Sequence, residues 1–115
     1  MVAQSAKIYS ISASYSLTSD FQSASIETRY LSWGSLQFNW VDIDAFNARV
    51  ILQGSNDNTS WNDFGGEGGG IITLLDTDTQ IWEFTKFTTR YIRLDFTANN
   101  VTSGSASLYF EGHRV

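Results

Sequence analysis

Two acidic pairs, a lone histidine, four tryptophans and a run of glycines are the residues here whose types and spacing could do chemistry. Asp42/Asp44 and Asp76/Asp78 stand two apart, which in a strand places both carboxylates on one face. Such a pair, with its carboxyls about 5–9 Å apart, could cleave a glycosidic bond. Both pairs fall in turn-like contexts, where Asp bonds its own backbone and stays solvated. Turn formation is therefore the reading for each. His113 is the single His and follows E-G near the C-terminal end; with no Cys in the chain, a nucleophilic triad lacks its partners. The expectation is a protein that is not an enzyme, with no catalytic residues.

The acids and amides are also the best cation ligands. Calcium takes about six to eight oxygens, and Asn56, Asp57, Asn58, Asp63, Asp76 and Asp78 could contribute them. The Gly and distal Glu of an EF-hand are missing. A structural calcium is thus an option, while no catalytic metal and no organic cofactor are expected. The glycine run Gly65–Gly70 lacks the Lys-Ser/Thr of a phosphate loop and no helix follows it, so it reads as a flexible or partner-ordered connector. Trp33 and Trp61 sit beside turns and are the indoles that could be exposed. With Asn56, Asp57 and Asn58 they form the candidate ligand or partner contact, a sugar ring included. Trp40 and Trp82 fall on apolar faces and read as core.

These groups must be positioned by strands. Val50 to Phe64 reads as a strand, a tight polar turn over Gly54–Ser60, and a returning strand whose register Trp61 and Phe64 fix. From Tyr9 to Leu17 the alternation is complete: Tyr9, Ile11, Ala13, Tyr15 and Leu17 on one side, Ser10, Ser12, Ser14 and Ser16 on the other. The serine face carries none of the Lys or Glu that usually guards an exposed edge. It reads as an outer strand or, more sharply, as a subunit contact through Ser10, Ser12, Ser14 and Ser16. Thr18–Ser25 looks turn-like, Ile26 to Tyr30 alternates, S-W-G-S at Ser32–Ser35 punctuates, and Leu36, Phe38 and Trp40 mark the next strand. Ile71–Leu75, closed by D-T-D-T at Asp76–Thr79, Ile81–Phe87, Arg90–Phe96 and a last strand through Ala106, Leu108 and Phe110 complete the pattern. Seven or eight strands at this spacing indicate an all-β antiparallel sandwich or barrel.

The totals agree. One domain spanning 1–115 is expected, large enough for a core without staples. With no Pro, every residue after the first can donate to a sheet, and Gly, Asn and Asp must make the turns. A net charge of −5 with seven scattered Lys and Arg does not provide the basic surface of a nucleic-acid binder. No segment approaches the ~20 apolar residues of a membrane span. M-V-A-Q-S-A-K-I-Y-S lacks a basic region followed by an apolar stretch, so no signal peptide is expected and synthesis in a host cytoplasm is.

L-Q-G-S-N-D-N-T-S-W at Leu52–Trp61, T-R-Y-I-R-L-D-F at Thr89–Phe96 and S-A-S-L-Y-F-E-G at Ser105–Gly112 together resemble the discoidin-like domains of the galactose-binding-like superfamily. The match covers the chain from residue 48 onward. The same hairpin and R-Y-I-R-L strand also resemble a family of short tailed-phage proteins, which the serine strand and G-S-L-Q-F-N-W at Gly34–Trp40 fit better. The Cys pair of the discoidin pattern is absent, Asn58 stands where Gly is common, and no binding residue transfers. What the resemblance implies is a jelly-roll-like β-sandwich in a virion structural protein (head decoration, collar, or tail or fibre accessory). Its implied partners are other virion proteins and copies of itself, with a carbohydrate-binding module as the alternative.

Overall fold

The computed structural model describes residues 7–64, 71–75 and 77–114. All regular structure among them is β: β1 Lys7–Ser16, β2 Phe21–Gln22, β3 Ile26–Glu27, β4 Trp33–Val41, β5 Arg49–Ser55, β6 Asn62–Asp63, β7 Ile71–Thr73, β8 Asp78–Phe84, β9 Tyr91–Thr97 and β10 Ser105–Arg114. Every pairing is antiparallel and the pairings nest. β1 pairs β10, β2 and β3 pair β9, β4 pairs β8, and β5 pairs β6 and β7. The chain is therefore an antiparallel ribbon doubled back at the turn after Ser55. Two more ladders, β10 on β4 and β9 on β5, close it into sheets of order β1-β10-β4-β8 and β2-β9-β5-β6.

The inner faces of both sheets feed one core. Leu36, Phe38 and Trp40 of β4 and Ala106, Leu108 and Phe110 of β10 meet Val50 and Leu52 of β5 and Ile92, Leu94 and Phe96 of β9, all buried. The period of two in β4, β9 and β10, and in β5 up to Leu52, is what places each of them inside; beyond Leu52 the end of β5 is buried on both faces. Each large apolar side chain so buried contributes about 1.5–3 kcal/mol relative to exposure.

Among the described residues ten strands appear where seven or eight were expected, because two strand positions are split. Phe21–Gln22, inside a stretch that read as turn, is a strand because Phe21 stacks between Tyr15 at 4.4 Å and Phe96 at 4.9 Å. The Ile26–Tyr30 alternation holds a strand only over Ile26–Glu27; the Thr28 hydroxyl then donates to the Thr89 carbonyl (2.6 Å) and Tyr30 turns out into solvent. Trp33 belongs to β4 instead of punctuating it, and Asp78 and Thr79 open β8 instead of closing a turn. Phe87 lies beyond β8 and packs on Phe84, with ring centroids 5.0 Å apart. The Gly65–Gly70 connector and Asp76 lie outside the described residues.

Turn-making falls to Asn and Asp, as a proline-free chain requires. Asp42, Asn58, Asn99 and Asn100 all hold positive φ, the left-handed region these two residue types tolerate best after Gly. Asn58, at φ 61°, takes this conformation in the turn after β5.

Candidate functional site

The outward face of the β1-β10-β4-β8 sheet carries four of the exposed large side chains. Alternation turns Trp33, Ser35, Gln37, Asn39 and Val41 of β4 away from the core, and likewise Ser105, Ser107, Tyr109, Glu111 and His113 of β10. Trp33 is 46% exposed, Tyr109 48%, Ile81 49% and Val41 39%, four large side chains set among Ser, Gln, Asn and Glu on one sheet face. Strand register puts Ser12, Tyr109, Gln37 and Ile81 in one row across the four strands, and Ser10, Glu111, Ser35 and Glu83 in the next. In the row beyond, His113 faces Trp33, and the two rings stack at 3.7 Å with 7° between planes. His113 Nε2 also lies 3.2 Å from Glu111 Oε1. Asn39 Oδ1 accepts from Gln37 Nε2 (2.9 Å) and Thr79 Oγ1 (2.7 Å), tying β4 to β8 on this face.

Two paired glycines hold the Trp33 end of the face in place. Gly34 and Gly112 sit opposite each other, pointing inward directly behind Trp33 and His113. A Cβ on Gly34 would stand 2.5 Å from the Glu111 carbonyl oxygen and 3.0 Å from Gly112 Cα, so only glycine allows this approach of β4 and β10. A Cβ on Gly112 would run into the tip of Leu31 and the Phe110 ring.

At the same end, an open cleft of about 850 Å³ lies between the β5–β6 hairpin and the 85–90 turn, lined by Asn56, Asp57, Asp63, Phe64, Arg29 and Arg90 among others. Its polar groups are mostly engaged in holding the backbone. Asp57 Oδ1 accepts from the amides of Ser60 (2.7 Å) and Thr59 (2.9 Å) and from the Ser55 hydroxyl (3.0 Å), and these bonds bring its pKa down to about 2. Asn56 Oδ1 accepts from the Arg90 amide (3.0 Å), pinning the turn to the start of β9. Asp63 Oδ1 accepts from Gln53 Nε2 (2.9 Å).

The residues considered for calcium are divided between two ends of the molecule. Asn56, Asp57 and Asp63 surround the hairpin end, while Asp78 pairs with Trp40 at the far end of β4 and β8. No group of three or more His, Asp or Glu suited to a metal occurs among the described residues. The Asp42/Asp44 pair is a loop clamp. Asp44 accepts from the Thr102 hydroxyl and from the amides of Thr102 (2.9 Å) and Ser103 (3.2 Å), which lowers its pKa, the wrong direction for a general acid.

Trp61 and Trp33 part company. Trp61 is half-buried on the outer face of the other sheet, with the Arg93 guanidinium 4.2 Å from its ring centroid. Arg93 Nε in turn donates to Gln53 Oε1 at 2.8 Å. Ser10, Ser12, Ser14 and Ser16 are exposed on the edge strand β1. The Trp33–His113 stack and the exposed Ile81 went unread in the sequence: the two rings come from positions 80 residues apart, and Ile81 lies beside Trp82 with no alternation to mark it as outward.

No family model matches the sequence, and no curated protein matches it. Among solved structures, the crystal structure of the SPBc2 prophage-derived protein YomS is similar, with a TM-score of 0.63, 12% identity, and coverage of 97% of this chain and 98% of that one. A structure from the disulfide-linked pili of Bacillus endospore appendages aligns at a TM-score of 0.49 and 7% identity, over 99% of this chain and 93% of that one. At these identities the likeness to YomS is one of fold, and the second is too loose to argue from.

Proposed function

We propose that this protein is a non-catalytic structural component of a tailed-phage particle, acting through subunit–subunit contacts, and that its two sheets form a jelly-roll-like sandwich. The nested pairing of strands supports the fold reading, since a doubled ribbon closed into two sheets is how such a sandwich is built. The observation that carries the function is the outward face on which Trp33, Val41, Ile81 and Tyr109 stand exposed among polar neighbours, the mixed composition of a surface that a partner of matching shape would bury. The shared fold with a prophage-derived protein supports a place among phage proteins, and Asp44, Asp57 and Asp63 are accounted for by turns and strand ties. The reading includes no metal and no cofactor.

The test is incorporation into particles. Purified particles from cells producing the tagged chain should retain it, and Tyr109→Ser with Ile81→Ser should abolish retention while circular dichroism stays unchanged. Retention of the double variant would refute the role of this face. A second reading, glycan recognition, draws on Trp33, covered on one face by His113 and 46% exposed, beside Ser35 and Glu111. A glycan array giving a saturable signal lost in Trp33→Ala would favour it.

A further inference from the structure

The sheet edge formed by β1 has no neighbour among the described residues, and it differs from the other three edges. β2 and β3 are two residues each, β6 and β7 are two and three, and β8 carries Asp78 and Glu83. Short, broken or charged edges are the usual protection against strand addition. β1 runs ten residues, Lys7–Ser16, with no proline and no charge from Tyr9 onward. Its ladder phase can be read from its continuation: the Leu17 amide donates to the Gly104 carbonyl at 3.1 Å, in line with the β1–β10 register. Bonded pairs alternate in an antiparallel ladder, so the odd residues of β1 bond β10, and the amides and carbonyls of Ser10, Ser12, Ser14 and Ser16 point out from the edge. On the core side the same edge is open: Tyr9 is 44% exposed although its ring meets Phe110, and Ile11 and Tyr15 are half-buried.

We infer that β1 pairs antiparallel with β1 of a second copy about a twofold axis at Ser12, joining two four-stranded sheets into one of eight strands. This rests on the subunit-contact reading above and names its geometry. An antiparallel edge is complementary to itself, which an isologous contact requires, and Ser12 meeting Ser12 sets Ser10 opposite Ser14 and Ile11 opposite Ala13, with no like charges brought together. A ten-residue strand offers about 33 Å of continuous edge for that ladder.

The experiment is sedimentation velocity on the full chain over a range of concentrations, with three variants. Wild type should dimerise. Ser12→Pro removes an outward amide without touching the β1–β10 ladder, and should weaken dimerisation by about a hundredfold, roughly tenfold for the bond lost from each copy. Ser12→Lys with Ser14→Lys, which leaves every backbone bond intact, should also give a monomer with unchanged circular dichroism. The chain has no Cys, so Ser12→Cys adds one thiol; opposed residues of a bonded pair lie about 5.5 Å apart at Cα, within disulfide range. It should oxidise to a covalent dimer while Glu83→Cys on the opposite edge does not. An oligomer unchanged by the proline and lysine variants overturns the edge contact and leaves the assembly reading standing. A wild-type monomer at every concentration overturns the edge contact too, and absence of that monomer from particles overturns both.

Discussion

Placing a methyl group on Gly34 or on Gly112 should have unequal consequences, although the two residues face each other across one ladder. The obstacle at Gly34 is backbone, the Glu111 carbonyl at 2.5 Å, and relief would require β4 and β10 to separate. At Gly112 the obstacles are the Leu31 tip and the Phe110 ring, of which the half-buried Leu31 can rotate away. Overpacking costs about 1–3 kcal/mol, occasionally more, and the reduced chain entropy of Ala offsets about 0.5–1 kcal/mol of it. Gly34→Ala should therefore lose about 3 kcal/mol and Gly112→Ala about 1 kcal/mol, out of a total near 5–15 kcal/mol. With about 4–5 °C per kcal/mol at this chain length, the melting temperature should fall by roughly 12–15 °C and 4–5 °C respectively. Urea titration with an unchanged m-value is the assay. In a double-mutant cycle, Leu31→Ala should recover about 1 kcal/mol in the Gly112→Ala background and nothing in the Gly34→Ala background. Because Trp33 and His113 lie directly behind the pair, the near-ultraviolet dichroism of Gly34→Ala should change as well. Equal losses at the two glycines, or rescue of Gly34→Ala by Leu31→Ala, would refute the backbone-contact argument.

Two further outcomes follow from the same structure. Trp61→Ala removes the plane on which Arg93 rests and should cost about 1–2 kcal/mol, whereas Trp33→Ala, on the open face, should cost under about 1 kcal/mol; urea midpoints compare them. Asp57 has its carboxyl held at about 2, below the ordinary 3.8, so its contribution is complete above pH 4 and is lost as pH falls toward 2. The urea midpoint should drop over that interval, and less steeply in Asp57→Asn; identical acid limbs would disprove the role of the turn bonds.

What was legible in the sequence was local. The period of two in Leu36–Trp40, Ile92–Phe96 and Ala106–Phe110 is a property of consecutive residues, so which side chains face the core could be read before any partner strand was known. The turn expected over Gly54–Ser60 was legible for the same reason, since Ser55 and Asp57 close it within a few residues, although Gly54 and Ser55 themselves belong to β5. Strand order was not legible. Pairings such as Lys7 with Arg114 or Gly34 with Gly112 join residues far apart in the chain, and backbone hydrogen bonding is indifferent to which strand supplies it. Only the competition to fill one core with both sheets selects among them. That selection leaves β1 at an edge and brings His113 onto Trp33. It also covers Trp61 with Arg93 and parts Asp78 from Asp57. The faces of the strands were determined by the sequence itself, and their neighbours by the packing of the whole.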